Sequence, residues 1–285
     1  DSFFDLGSTV VTYTAIDNSG NDLSGSFTIT VSDNENPSIV GDLPDMNVLT
    51  DQGQCNAVVS WTDPSVSDNC TGASITGDTV NGSVFELGTT QVSYTAVDAT
   101  GNSVSASFSI TVEDGQSPEF ISAPGDVTLE TEPGVCSASH QWADPETSDN
   151  CLGMTMNTSH ASGTDFGVGN TDVTMFLTDG SGNTVQHTFT VTVNDEEHPQ
   201  LDSVPTDITV SNDSGVCGAN VSWTEPQGTD NCAMGDLATT ASPGDFFELG
   251  TTTVSYLAAD ASGNVTTAQF SVTVTDDEGP VIATS

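Results

Sequence analysis

The 285-residue chain contains no lysine and no arginine. A chain of this length would ordinarily carry on the order of 30 basic residues. Its 41 aspartates and glutamates therefore leave a formal net charge of −41. Internal salt bridges to Lys or Arg are excluded. Nucleic acid is excluded as a partner, because phosphate contacts need cationic side chains. Anionic membrane surfaces are excluded on the same ground, as is any mechanism that needs a Lys nucleophile or an Arg clamp. The counter-charges that remain are solvent cations, Ca²⁺ foremost, or salt, which at about 1 M shortens the Debye length to about 3 Å. The sequence also lacks any run of 18 apolar residues, so no membrane-spanning helix and no membrane insertion is expected. No window shows a 3.6-residue period, which argues against helices. No signal peptide is legible at Asp1, where the sequence opens in mid-repeat; a processed or excised portion of something longer is expected.

What is present is periodic. Pro37, Pro118, Pro199 and Pro280 are each 81 residues apart. The same phase holds for Cys55, Cys136 and Cys217, for Cys70, Cys151 and Cys232, and for Trp61, Trp142 and Trp223. It holds again for Asp17, Asp98, Asp179 and Asp260, and for the Gly-Asn pairs that follow them. With the prolines as boundaries, the chain divides into a half-repeat at 1–37, full repeats at 38–118, 119–199 and 200–280, and a stub at 281–285. A half-repeat cannot bury its own core, so residues 1–37 need a first half from elsewhere in a longer chain or from a neighbour.

The apolar fraction of 34% is organised, not scattered. Val92 to Val97 alternates, Asp98 to Asn102 supplies a turn, and Ser107 to Val112 alternates again. Two alternating runs around a Gly/Asn/Asp cluster predict a hairpin. Asp45 to Leu49 and Ala57 to Trp61 predict further strands, and Phe85 to Gly88 a tight corner. About seven short strands per repeat suit an antiparallel sandwich. The expected fold is all-β: tandem immunoglobulin-like antiparallel β-sandwiches in a linear array.

Each repeat holds one pair of cysteines. The even count and fixed phase predict three within-repeat disulfides, Cys55–Cys70, Cys136–Cys151 and Cys217–Cys232. Closing such a loop stabilises by roughly 3 kcal/mol in the chain-entropy model. Disulfides also imply an oxidising, extracellular location. Zinc is a poor alternative, because the spacing is not that of ligands and no histidine recurs with it.

The ordered set Gly53-Gln54-Cys55, Trp61-Thr62-Asp63-Pro64, Asp68-Asn69-Cys70, Phe85 to Thr90, Tyr94 to Asp98 and Gly101-Asn102 resembles the hyalin repeat, or HYR, over the full length of every repeat. The resemblance implies Ig-like or fibronectin-III-like modules, extracellular arrays, adhesive or matrix roles, and no family-wide catalytic residue. A further Cys carried by many such modules is replaced here by Gly25, Ala106, His187 and Ala268.

The repeat junctions are the candidate sites. Asp33, Glu35, Asp114, Asp195, Glu197, Asp276 and Glu278 cluster at the four boundaries, with Asp45, Asp126 and Asp207 expected to join from the following repeat. Carboxylate oxygens at a boundary suit Ca²⁺, which takes six to eight of them; no cofactor is otherwise required. The plainer alternative is a solvated polar linker stiffened by proline, and the second junction, with the single acid Asp114, favours it. Asp98 to Asn102 and its copies superficially resemble a Ca²⁺ loop but have Ser103 and Ser109 where Gly and Glu are needed, so they read as hairpin turns; Asp63, Asp68 and Asn69 read as turn caps, with cation binding as the alternative. Sequons stand at Asn69, Asn81, Asn157, Asn212, Asn220 and Asn264. All four histidines, His140, His160, His187 and His198, lie in one repeat, which argues against a repeat-wide catalytic site.

These features together predict a non-enzymatic structural or adhesive protein forming a rigid fibre, sheath or adhesin stalk. Self-association and a cell-surface or matrix partner are expected. The competing function is a carbohydrate- or receptor-binding accessory module. It would need an exposed aromatic platform, whereas the tryptophans stand in core phase.

Overall fold

The computed structural model describes residues 2–280; the stub 281–285 lies outside them. No helix occurs among the described residues. The chain forms two compact units. One holds the residues up to Glu119 together with Ser148–Thr155 and Thr178–Thr184; the other holds Phe120–Thr147, Met156–Leu177 and the chain from Val185 onward.

The predicted hairpins are present. β1 (Gly7–Ile16) and β2 (Asp22–Val31) form the one in the opening half-repeat. The next repeat contains eight strands: β3 (Ser38–Val40), β4 (Met46–Leu49), β5 (Asn56–Val58), β6 (Ser65–Ser67), β7 (Ser74–Gly77), β8 (Val84–Glu86), β9 (Gly88–Val97) and β10 (Ser103–Glu113). Its main sheet runs β4-β10-β9-β7, and the ladders β3-β6 and β5-β8 complete the sandwich. All pairs are antiparallel except β4, which lies parallel to β10 with Ile110 opposite Met46. That parallel edge is pinned by Asp45, whose carboxylate accepts the Ser109 N–H at 2.7 Å. The corner between β8 and β9 is made at Gly88, whose φ of +109° a side chain would strain.

Alternation along β9 and β10 sends Val92, Tyr94, Phe108, Ile110 and Val112 into the core and leaves Ser, Thr and Gln outside. Burying each large apolar side chain is worth about 1.5–3 kcal/mol. Trp61 lies edge-on to Phe108 at 5.6 Å between ring centroids and donates its indole N–H to the Tyr94 hydroxyl at 2.6 Å. Burial first, and then the Asp63 carboxylate that the hydroxyl donates to, hold the Tyr94 phenol above its usual pKa. The later repeats use the same plan, with four-stranded sheets and cores around Phe189 and Phe270. In the half-repeat the same phase is bare: Tyr13 and Phe27 are 61% and 53% exposed, where Tyr94 and Phe108 are 5% and 3%.

The cysteine pairing is not the one expected. Cys55 is bonded to Cys151 and Cys136 to Cys232, each across 96 residues. The three within-repeat pairs do not form, and Cys70 and Cys217 are unpaired. The reason is the length of the sandwich. Cys55 lies just beyond β4, beside the end of β10, where Thr50 N–H meets the Glu113 carbonyl. Cys70 lies at the other end, beside the Asp98 turn that precedes β10. The 11 residues of β10 set these ends roughly 35 Å apart, far beyond the reach of a disulfide. The cysteine that does come within reach belongs to the next repeat. At a spacing of 96, neither Cys70 nor Cys217 has a partner within the 285 residues.

Candidate cation site at the repeat junctions

Every fully buried carboxylate among the described residues lies at a junction: Asp98, Asp114, Asp179, Asp195 and Asp260, all 5–8% exposed. Two local motifs bring them there. The first is the hairpin turn. Asp98 Oδ1 accepts the N–H groups of Thr100, Gly101 and Asn102, and Oδ2 accepts the Asn102 side-chain amide at 2.7 Å. Asn102 Nδ2 also donates to the Asp33 carbonyl of the preceding linker at 3.2 Å. Asn183 and Asn264 reach the Asp114 and Asp195 carbonyls in the same way, at 3.0 and 2.9 Å. The turn therefore holds the linker as well as the hairpin.

The second motif is the Asp-Asn-Cys loop. Asn150 Nδ2 donates to the Gln54 carbonyl at 2.9 Å and to Asp114 Oδ1 at 3.1 Å, beside the Cys55–Cys151 bond. Asp149 Oδ2 accepts the Cys151 N–H at 3.2 Å. Asn231 repeats this pattern with the Val135 carbonyl and Asp195.

At the second junction both loops contribute to one cluster, and at the first and third the Asp-Asn-Cys loop does. One ligand atom each from Asp114, Asp149 and Asp179 lies within 4.8 Å of the others. At the other two junctions the groups are Asp33, Asp68 and Cys70, and Asp195, Asp230 and Cys232, with a cysteine in place of the turn aspartate; Cys232 is itself in a disulfide. Asp33 Oδ2, Asp68 Oδ1, Asp114 Oδ2, Asp149 Oδ1, Asn150 Oδ1, Asp230 Oδ1 and Asn231 Oδ1 are buried without any hydrogen-bond partner. An ionised carboxylate is costly to bury unless a positive charge meets it, and this chain has no Lys or Arg to do so. Oxygens within 4.8 Å of one another can share one Ca²⁺, whose ligands stand 2.3–2.6 Å from the ion.

The structure sorts the expected ligands. Asp33, Asp114 and Asp195 sit in the clusters. Asp45, Asp126 and Asp207 do not; each accepts a strand N–H, from Ser109, Thr190 and Ser271. Glu197 and Glu278 accept the Gly134 and Gly215 N–H groups and so cap turns. Glu35 and Asp276 are exposed. The second junction, with one acid in its linker, gathers three carboxylates because two arrive from loops of the following repeat. Asp98, Asp179 and Asp260 are expected only as hairpin-turn residues and Asp68 as a turn cap with cation binding as the alternative, while Asp149, Asn150, Asp230 and Asn231 carry no expectation of their own. Their exact recurrence in phase with Asp33 was the signal available.

At Asp98, Asp179 and Asp260 burial pushes the carboxyl pKa up, but the Asn side-chain amide and the turn N–H groups outweigh it, leaving each below the usual value. Depressed folded-state values stabilise above the unfolded pKa of about 3.9 and cease to as pH falls through the folded value. Thermal melting from pH 6 to pH 2 is therefore expected to show a steep drop below about pH 4; a melting temperature flat to pH 2 would exclude this role. At the first junction the neighbouring Asp33 carboxylate, and then burial, push the Cys70 thiol up from its ordinary value.

Four of the six sequon asparagines donate their side-chain amide to a neighbour. Asn81 Nδ2 donates to the Trp61 carbonyl, and Asn264 Nδ2 to Asp195 and Asp260. Asn69 and Asn157 are exposed; Asn212 and Asn220 bond Val216 and Asp213. The histidines are scattered. His187 Nε2 meets the Pro124 carbonyl at 2.7 Å, and His140 packs on Trp142 at 5.9 Å.

The HYR domain model matches residues 1–31, 33–112, 113–193 and 194–274. The chain belongs to the HYR domain family. Hyalin of Strongylocentrotus purpuratus is 35% identical over 282 residues, which is 95% of this chain and 24% of that protein. Hyalin of Lytechinus variegatus is 34% identical over 287 residues, 97% of this chain and 54% of that one. The chain thus spans about half or less of the length of these relatives. Among solved structures, the protocadherin GammaB4 extracellular domain covers 94% of the chain and 54% of its own length, at 14% identity and a TM-score of 0.36, a likeness that carries no argument about geometry. Membership in the HYR family agrees with the expectation of an extracellular, non-enzymatic repeat protein.

Proposed function

We propose that the chain is a load-bearing segment of an extracellular adhesive protein, in which HYR repeats are locked end to end and stiffened by Ca²⁺ at their junctions. The observation that carries this reading is the pair of disulfides that join successive repeats in place of closing each repeat on itself. A bond of this kind carries tension from one repeat to the next. The buried prolines Pro118 and Pro199 and the Asn183 and Asn264 contacts support the same role. The boundaries 38–118, 119–199 and 200–280 suit this role, since each proline ends a linker that the next repeat grips.

Ca²⁺ supplies the positive charge that the junction acids lack, and it would make association between negatively charged surfaces sensitive to divalent cations. Self-association into fibres or matrix, and contact with a cell-surface or matrix protein, follow from this reading and from the hyalin relatives. A carbohydrate-binding role is less well supported. Trp61, Trp142 and Trp223 pack edge-on against Phe108, Phe189 and Phe270 and offer no open platform.

Small-angle scattering of the purified chain with Ca²⁺ and then with excess chelator tests the proposal. An elongated, stiff particle that becomes flexible on chelation is expected. An unchanged stiff particle would remove Ca²⁺ from the account, and a compact one would remove the array.

A further inference from the structure

We propose that the inter-repeat disulfide and the cation cluster beside it form one coupled device: the Cys55–Cys151 bond sets the affinity of the junction for Ca²⁺, and bound Ca²⁺ protects that bond from reduction. The inference rests on reading the junction as a Ca²⁺ site, and adds to it a redox control.

The oxygen donors come from separate segments. Asp114 ends one repeat, whereas Asp149, Asn150 and Asp179 lie on two loops of the next. Asp114 is 8% exposed, and its Oδ2 has no partner. Asp149 and Asn150 immediately precede Cys151, which is 7% exposed and bonded to Cys55. Gln54, the neighbour of Cys55, accepts the Asn150 amide at 2.9 Å. The disulfide thus clamps the residues that carry Asp149 Oδ1 and Asn150 Oδ1 against the preceding repeat. Those two oxygens are themselves buried and unpartnered.

Reduction by a dithiol breaks the S–S bond. The two sulfurs take up two electrons and two protons and become thiols, while the dithiol becomes a disulfide. The loop is then held by hydrogen bonds alone, and placing two of the oxygens requires ordering it anew. Because linkage is reciprocal, whatever affinity the bond contributes to Ca²⁺ binding, Ca²⁺ returns as resistance of the bond to reduction. Couplings of this kind are typically 5- to 150-fold.

The test uses the full chain and Ca²⁺ alone as the probe. Titration calorimetry reports Ca²⁺ binding by the oxidised chain and by a Cys55→Ser/Cys151→Ser variant. Differential thiol labelling with mass spectrometry then reports the reduction midpoint of each disulfide with Ca²⁺ and with chelator. The expected results are affinity about tenfold weaker at this junction in the double variant and a Cys55–Cys151 midpoint about 30 mV more negative with Ca²⁺, the equivalent of tenfold. Asp149→Asn, which preserves side-chain shape and the disulfide, should abolish the shift at Cys55–Cys151 and leave that at Cys136–Cys232. If the oxidised chain binds no Ca²⁺, the junction reading itself fails. If it binds Ca²⁺ but the midpoint does not move and the double variant binds equally well, the coupling is overturned and the junction site stands.

Discussion

Cys151→Ser is expected to destabilise the unit that contains it by about 4 kcal/mol, and Cys55→Ser by the same amount. The bond they form closes a loop of 96 residues, and in the chain-entropy model a loop of about 100 residues contributes about 4.7 kcal/mol, against about 3 for a 15-residue loop. Cys70→Ser should fall within about 0.5 kcal/mol of the parent, as substitutions outside a stabilising contact do. Within-repeat pairing makes the opposite forecast, since there Cys55→Ser and Cys70→Ser would cost the same. Denaturant melts of the three variants separate the two. The covalent result can be read directly from non-reduced peptides, cut at aspartate or glutamate because the chain offers trypsin no site. A peptide joining Cys55 to Cys70 would overturn the inter-repeat pairing.

Phe108→Ala is the second large effect. The ring is 3% exposed and meets Trp61 edge-on at 5.6 Å. Removing such a ring leaves a cavity that close-packed neighbours cannot fill, at a cost of about 3–5 kcal/mol. Phe27 occupies the identical phase, one period earlier, but is 53% exposed. Its replacement by alanine should cost less than about 1 kcal/mol, because the ring has little burial to lose. The contrast isolates tertiary covering from sequence, since the two hairpins share the same alternation. Equal destabilisation by both variants, measured by thermal melting, would show that the β1–β2 face is covered in solution.

The hairpins were legible because they are local. Alternation in Val92–Val97 and Ser107–Val112, with a Gly-Asn turn between, leaves one face that can be buried, and β9 and β10 pair in the register this requires. The tryptophan phase gave the core for the same reason. The parallel edge at β4 was not legible, because short strands carry no mark of direction.

The junction lay between these extremes. Counting acids in the linker located Asp33, Asp114 and Asp195, whereas Asp45, Asp126 and Asp207, expected to join them from the following repeat, have carboxylates taken by strand N–H groups. It passed over Asp149 and Asp179 because they stand 35 and 65 residues beyond Asp114 in the chain.

By itself, then, the sequence determined the period, the all-β class, the hairpin and its core, the HYR resemblance, and an anionic surface with no Lys or Arg to neutralise it. Only the tertiary structure decided which cysteines bond and which carboxylates meet. In a periodic chain each residue has copies one period away, so a fixed phase fits partners in the same repeat and in the next one equally well. The length of the sandwich breaks that tie. It sets Cys55 and Cys70 at opposite ends of β10, and it brings the loops of the following repeat onto the end where Cys55 and Asp114 stand.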